Sequence, residues 1–395
     1  MLYRAIEQVN ARRVALVGIA KHAGKTTAMN DLIESATHAG RRLGVLSIGV
    51  DGERQDAIMG VSKPEVYAPV GTLVASAGDV LNEGSAVLTV LERTGISSAL
   101  GDVYLAEVTV AGTVLLAGIR YGKQVAQVLR RMEALGAELC LVDGAFERMM
   151  AADPELTDGV VLATGAVVGK SVEEVARQTA FFVQRFSLPV AEDSVARLAD
   201  VAEEKGALVV GVEVKAEKKR SDEVGSTADG LSSRRRKTSG DPSTELRESL
   251  SEAGRLSGEG VRGAAFSPVY APIVLAQTSS FAANPQVDPQ WPGSERARVL
   301  AVGGAVTDRL LAMLEGLPRG FTLALPDATH FFATAGAWRK FLRRGHRVVV
   351  RRPVRVLGLT VNPHSVAGYE LPRRELLEAV REVAGDVPVT DVKLD

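Results

Sequence analysis

Cysteine is nearly absent from this chain, because Cys140 is the single one among 395 residues. One thiol excludes an intramolecular disulfide and a cysteine-based metal cluster built by this chain alone. Cys140 lies inside the apolar run Leu139–Val142. We therefore expect it to be a small buried hydrophobic residue rather than a reactive thiol.

Long apolar runs and an excess of charge of one sign are also missing. No run approaches the roughly 18 apolar residues that a membrane-spanning helix needs. The net charge of −1 gives no general attraction for nucleic acid, and the sequence has no arginine-rich face with interleaved aromatic residues. The first residues show no basic segment followed by an apolar stretch, so we expect no secretory signal and a cytoplasmic location. Membrane and nucleic-acid-binding proteins are therefore disfavoured.

What is present is a regular alternation of strands and helices. This alternation predicts an α/β fold with a doubly wound parallel sheet of the P-loop type. The length favours two domains. We assign residues 1–213 to the first α/β domain, residues 214–263 to a disordered charged insert, and residues 264–395 to a second, smaller α/β domain.

One antiparallel element is predicted within the first domain. Residues Val103–Val110 alternate between apolar and polar side chains, and Thr113–Ile119 follows after Ala111-Gly112. This dipeptide suits a two-residue turn. We therefore expect an inserted β-hairpin that embellishes the parallel sheet.

A strand-to-helix junction near the start carries the strongest functional signal. The strand Val14–Gly18 leads into the loop Ile19–Thr27, after which apolar residues recur at helical spacing. Backbone N–H groups at a helix N-terminus are suited to holding a polyphosphate. The junction therefore predicts a nucleotide-binding loop whose contact residues are Lys21, His22, Ala23, Gly24, Lys25, Thr26 and Thr27.

The pattern Gly-Lys-Thr assigns roles to individual residues of this loop. Lys25 is expected to reach the terminal phosphates, and the Thr26 hydroxyl is expected to ligate Mg²⁺. The usual first glycine would fall at Ile19, whereas the glycine of this chain is Gly18. The start of the loop must therefore differ from the common form.

Two further loop residues have alternative interpretations. Some phosphate loops carry a signature lysine that reaches the phosphates across a homodimer, and Lys21 is a candidate for it. It stands four residues before Lys25 rather than the usual five, so an exposed loop lysine is the alternative. His22 fits a role in the shape of the loop, or a weak phosphate contact, better than that of a metal ligand.

Carboxylates follow two of the predicted strands. Asp51-Gly-Glu53 comes after the strand Leu43–Gly49, and Asp143 comes after Leu139–Val142. In a parallel sheet these positions lie at the carboxyl edge, beside the phosphate loop. We expect Asp143 and Asp51 to hold Mg²⁺ or its waters, and Glu53 to act as a catalytic base. For Asp143 the alternative is a turn residue after a strand.

The nature of the nucleotide follows by elimination. No Asn-Lys-x-Asp motif is present to select guanine, so ATP is favoured over GTP. The loop Thr164–Ala166 either touches the nucleotide or simply turns the chain. In the second half, structural roles are preferred for Asp327 and for three histidines that are too scattered to form a metal set: His330, His346 and His364.

Several segments together resemble one family, the reactivase subunit KamB of lysine 5,6-aminomutase. They are Gly18–Thr27, Ser47–Glu53, Lys63-Pro64, Gly71–Val74, Thr94–Ile96, Val142–Ala145 and Leu162–Ala166. The similarity covers about the first 175 residues, and Gly118-Ile-Arg120 departs from the Gly-Pro-Ser-like turn of the family. It implies an ATP-binding chaperone in lysine degradation, which works with a MutS-like ATPase partner to restore an adenosylcobalamin-dependent aminomutase.

Two other functions remain open from the sequence. One is an ATP-dependent biosynthetic enzyme of the dethiobiotin synthetase or cobyrinate amidase type, which activates a carboxylate. The other is a nucleotide-sensing scaffold that binds ATP without turnover. No substrate-binding constellation is evident in the second half, which favours the accessory protein over the biosynthetic enzyme.

Overall fold

A computed structural model describes residues 1–49, 65–144, 149–214, 269–277, 297–316 and 319–393. The charged insert expected at 214–263 lies, beyond its first residue, outside the described residues. The chain forms two compact units. The first comprises Met1–Pro189, Asp327–Phe331 and Arg352–Asp395, and the second comprises Val190–Pro326 and Phe332–Arg351.

The strands and helices of the described residues have the following bounds. The strands are β1 Arg13–Gly18, β2 Leu43–Ile48, β3 Val66–Ala68, β4 Leu73–Ala77, β5 Val87–Ser98, β6 Gly101–Val110, β7 Gly112–Val114, β8 Leu139–Gly144, β9 Gly159–Gly165, β10 Ala207–Val214, β11 Val269–Gln277, β12 Ala297–Val302, β13 Thr322–Leu325, β14 Arg347–Val350, β15 Val356–Asn362 and β16 Val389–Thr390. The helices are α1 Leu2–Gln8, α2 Lys25–His38, α3 Gly122–Ala134, α4 Val172–Phe186, α5 Asp193–Lys205, α6 Asp308–Met313, α7 Ala335–Arg343 and α8 Arg373–Ala384.

The first unit is built on a large, mainly parallel sheet. Within the described residues it has nine strands, in the order β16-β15-β9-β1-β8-β2-β4-β6-β5. Strands β16 to β4 in this order run parallel, and β6 and β5 are antiparallel additions at one side. The central strands are buried along nearly their whole length, as expected for parallel strands covered on both faces. The predicted mixed α/β fold with a mainly parallel sheet is confirmed.

The two units do not follow the ranges 1–213 and 264–395 expected from the sequence. Strands β15 and β16 and helix α8 come late in the chain, yet they belong to the first unit. β15 hydrogen-bonds in parallel to β9, and α8 packs against α4. Apolar periodicity predicts that a segment is a strand without naming its neighbour. For this reason the sequence predicts the C-terminal strands but not that they join the sheet of the first unit.

The predicted hairpin was wrong in its pairing. β6 pairs antiparallel with β5 before it and with β4, whereas β7 pairs with β3 in a separate two-stranded sheet. The hairpin turn therefore lies between Ser98 and Gly101, and Gly101 has a positive φ of 86°. Gly112 is needed for another reason, because a Cβ on it would lie 2.5 Å from the backbone nitrogen of Ala86. It is a close-approach glycine rather than a turn glycine.

Helix α2 covers one face of the large sheet through Ala28 and through four residues that recur at helical spacing in the sequence, Met29, Leu32, Ile33 and Ala36. These buried apolar side chains join a core cluster with residues of β1, β2 and β8. Cys140 on β8 is fully buried, and burial raises the pKa of its thiol to about 12. The expectation that Cys140 is buried is thereby confirmed.

The second unit has its own smaller sheet. Its strand order is β11-β10-β12-β13-β14, with β12, β13 and β14 parallel and β10 antiparallel to both neighbours. Helix α5 packs its apolar face on this sheet through Val195, Leu198, Ala199 and Ala202. In the described part of the chain, no helix is long and apolar enough to cross a membrane.

Candidate functional site

The loop between β1 and α2 turns sharply at the carboxyl edge of the large sheet. Gly18 ends β1, and a Cβ on it would lie 2.8 Å from the carbonyl oxygen of Ala20 and 3.3 Å from Cγ of Lys25. Only glycine leaves room for this close approach. The displaced glycine of the sequence therefore has a structural reason, because it allows the loop to fold back over the end of the strand.

No side chain among the described residues caps the N-terminus of α2. Gly24 precedes the helix with a φ of 97°, has no side chain to cap it, and none of the described first-turn residues is acidic. The first N–H groups of a helix lack intrahelical acceptors and carry a partial positive charge. α4, by contrast, is capped by Ser171, whose Oγ accepts from the backbone N–H of Glu174 at 3.2 Å. The start of α2 is therefore suited to an anion.

Lys25 and Asp143 meet at this edge. Strand β8 lies next to β1, with Asp143 in register with Leu16, so its side chain emerges beside the loop. Nζ of Lys25 donates to Oδ1 of Asp143 at 2.5 Å. The two side chains are 21% and 27% exposed, so the pair is reachable from solvent. The structure thus brings together the two charged residues that the sequence singled out for phosphate and metal.

The other predicted loop residues have varied surroundings. Lys21 is exposed, Ala23 is buried, and Thr26 and Thr27 are half-buried in the first turn of α2. His22 has a positive φ of 60°, which is uncommon for a residue other than glycine. It therefore contributes to the shape of the loop.

Asp51 and Glu53 lie outside the described residues, so their roles stay predictions. The hydroxyl of Thr164 on β9 is 2.7 Å from that of Thr179 on α4, inside the core. This hydrogen bond ties the strand to its helix. It favours the structural interpretation of Thr164 over nucleotide contact.

Asn362 at the end of β15 belongs to this site although it was not predicted. Its Nδ2 donates to the carbonyl oxygen of His22 at 3.5 Å, and its Cβ lies 3.2 Å from where a Cβ on Gly24 would be. The available signal was a polar residue directly after an apolar strand, as for Asp143. Because the sequence places β15 in the predicted second domain, this signal does not point to the loop.

Asp327, another carboxylate of the first unit, has a structural role away from the loop. Asp327 is fully buried, and its Oδ1 accepts from the backbone N–H of Thr329 at 2.8 Å. Hydrogen bonds from His330 and Thr329 hold its pKa low against the opposing effect of desolvation by burial, which is the largest single influence. Among the described residues, no group of three or more His, Cys, Asp or Glu side chains could hold a metal.

A cavity of about 470 Å³ lies at the opposite end of the strands. Its lining includes Asp158, then Gly159 as the first residue of β9, and Arg355 just before β15. β9 spans seven residues, which separates the two edges by about 20 Å. This cavity is therefore distinct from the loop.

The candidate site consists of an uncapped helix N-terminus, a lysine paired with a strand-end carboxylate, and an asparagine against the loop. This arrangement can bind an anion and offers a carboxylate to a cation beside it. Searches of protein-family models and of curated proteins find no match to the chain.

Proposed function

We propose that the loop Ile19–Gly24 and the first turn of α2 bind the phosphates of ATP with Mg²⁺, on a doubly wound sheet of the P-loop type. The observation that carries the proposal is the 2.5 Å contact between Lys25 Nζ and Asp143 Oδ1, beside a helix N-terminus that no described side chain caps. A lysine and a carboxylate side by side can receive a phosphate and its metal ion at the same time.

Nucleotide binding on this proposal exchanges one ion pair for two interactions. Lys25 would contact the terminal phosphates, and Asp143 and the hydroxyl of Thr26 would hold Mg²⁺. The residues that would hold the metal are oxygen donors, the type that Mg²⁺ prefers. Asp51 and Glu53 complete the carboxylate set on the sequence prediction alone, as a metal contact and a catalytic base.

Isothermal titration calorimetry with MgATP tests the binding step. Lys25→Ala removes a charged hydrogen bond to phosphate, and such bonds contribute about 1.5–3 kcal/mol, so affinity should fall roughly 10- to 100-fold. Lys205→Ala, at the exposed end of α5, is the matched control and should leave affinity unchanged. Equal affinity of the Lys25→Ala variant and the native protein would refute the assignment.

For the biological role, we propose an accessory protein of an adenosylcobalamin-dependent lysine 5,6-aminomutase. What supports this is the resemblance of the loop, of the carboxylate segments and of Val142–Ala145 to KamB reactivase subunits. Nucleotide binding would change the affinity of this chain for a MutS-like ATPase subunit, and the two together would release damaged cobalamin from the mutase. A homodimer in which Lys21 reaches the phosphates of the second copy belongs to the same proposal.

A reactivation assay tests this role. Mutase inactivated through its cobalamin is mixed with the chain, the MutS-like partner, ATP and Mg²⁺, and recovery of activity is followed. Recovery that requires ATP and is lost with Lys25→Ala is the expected result. Failure to recover would refute the role. Phosphate release only when a small carboxylic acid is added would indicate the biosynthetic enzyme, and tight binding without hydrolysis would indicate a scaffold.

A further inference from the structure

Asn362 is held in one orientation by its own strand end. Its backbone carbonyl accepts from the N–H of Ala166 at 2.8 Å, which fixes β15 to the end of β9. Its side-chain Oδ1 accepts from the backbone N–H of His364 at 3.2 Å. Because the oxygen is occupied on that side, the amide nitrogen Nδ2 faces the carbonyl of His22, 3.5 Å away. Contacts outside the loop therefore orient the Asn362 side chain.

The part of the loop that Asn362 touches is the part with unusual backbone geometry. His22 has a φ of 60° and Gly24 a φ of 97°, so two left-handed residues lie within three positions. A left-handed conformation costs a residue with a Cβ roughly 1–2 kcal/mol. Such a conformation persists only when its surroundings hold it.

The contact also sets the direction of one backbone donor. In a trans peptide the C=O and the following N–H point in opposite directions. Holding the carbonyl of His22 towards Asn362 therefore turns the N–H of Ala23 away from β15. Donors of this loop can bind a phosphate only if their N–H groups face it.

We infer that Asn362 is a positioning residue for the phosphate loop, which holds the His22–Ala23 peptide in the orientation that binds phosphate. The inference rests on the proposed nucleotide function. On this inference the C-terminal strand β15 contributes to phosphate binding by holding the loop in place.

The test compares two substitutions in the same segment. Asn362→Leu keeps the approximate shape and removes the donor to His22, together with the acceptor for the N–H of His364. Tyr369→Phe removes the hydrogen bonds from the tyrosine hydroxyl to the carbonyls of Ala166 at 2.6 Å and Gly169 at 3.3 Å, neither of which belongs to the loop Ile19–Gly24. Affinity for MgATP and for magnesium tripolyphosphate is measured for both, together with the midpoint of thermal unfolding. Asn362→Ala serves as a second variant if the leucine destabilises the fold.

The contact between Asn362 and His22 is long for a hydrogen bond at 3.5 Å, so Asn362→Leu should weaken both ligands only about two- to fivefold, and Tyr369→Phe should weaken neither. Equal losses for Asn362→Leu and Tyr369→Phe that follow thermal stability would overturn the inference, since the role would then be structural. A loss for MgATP without a loss for tripolyphosphate would overturn it too, since Asn362 would then contact the nucleoside. If the native protein binds neither ligand, the proposed function itself fails. If the native protein binds both ligands and Asn362→Leu binds them with the same affinity as the native protein, only this inference fails.

Discussion

Substitution of Asp143 gives the sharpest test of the proposed site, because its effect should reverse with Mg²⁺. Asp143 holds Lys25, and on the proposed function a nucleotide phosphate competes with Asp143 for the ammonium group of the lysine. The pair is partly exposed, at 21% and 27%. An exposed ion pair of this kind contributes at most about 1 kcal/mol.

Asp143→Asn removes that competition. Affinity for ATP without metal should therefore rise by up to about fivefold, the equivalent of 1 kcal/mol. With Mg²⁺ the same change removes a carboxylate that faces the cation. Interactions with charged groups contribute about 1.5–3 kcal/mol, so affinity for MgATP should fall roughly 10- to 100-fold. The gain in affinity that Mg²⁺ gives the native protein should be lost in the variant.

The assay is calorimetric titration of ATP in a chelator and in excess Mg²⁺. Asp200→Asn is the matched control, because Asp200 pairs with Arg351 at 3.1 Å in the second unit. It should leave both affinities unchanged. If Asp143→Asn weakens ATP equally with and without Mg²⁺, the carboxylate does not face the metal. The pair with Lys25 would then be a structural contact of the loop.

Two further predictions concern the loop start and the second unit. Gly18→Ala places a Cβ 2.8 Å from the carbonyl of Ala20 and should weaken MgATP binding about tenfold. Gly336→Ala is the control, because its Cβ would have no neighbour closer than 3.8 Å, and it should leave binding unchanged. Equal binding by both variants in calorimetry would contradict the steric argument. His346 is buried and accepts the N–H of Phe321 at 3.2 Å, and burial lowers the pKa of its ring. As pH falls, the His346 ring is therefore protonated in the unfolded chain before it is protonated in the folded protein. The contribution of His346 to the free energy of unfolding should be constant above about pH 6.5 and decrease below it. Thermal unfolding at pH 7.5 and 5.5 should show a smaller decrease for His346→Asn, which does not titrate; an identical decrease would rule out this histidine as the source.

The sequence predicted the local parts of this structure well. Its apolar runs located β1, β2 and β8, and the pattern Gly24-Lys25-Thr26 marked the start of α2. Strand ends in a parallel sheet share an edge, so the neighbourhood of Lys25 and Asp143 could be anticipated. These features depend on short stretches of chain and on one general rule of sheet geometry.

Features that depend on distant pairing could not be predicted in this way. Asn362 meets His22 across a separation of 340 residues, and no periodicity encodes that partner. The mistaken hairpin has a similar origin, because the approach of Gly112 to the backbone of Ala86 becomes visible only when the strands are placed. Single-sequence patterns define elements, whereas tertiary packing decides their neighbours.

The position of β15 beside β9 has a consequence for how the protein matures. Contacts of high sequence separation form slowly, because the entropy of closing a long loop must be overcome before the contact stabilises anything. The His22–Asn362 contact spans 340 residues, so during synthesis the loop is exposed long before β15 exists. A nascent chain therefore lacks the contact between Asn362 and His22 until β15 has been made. Competence for ligand would then arise as one of the last events of folding, although the loop is among the first segments made.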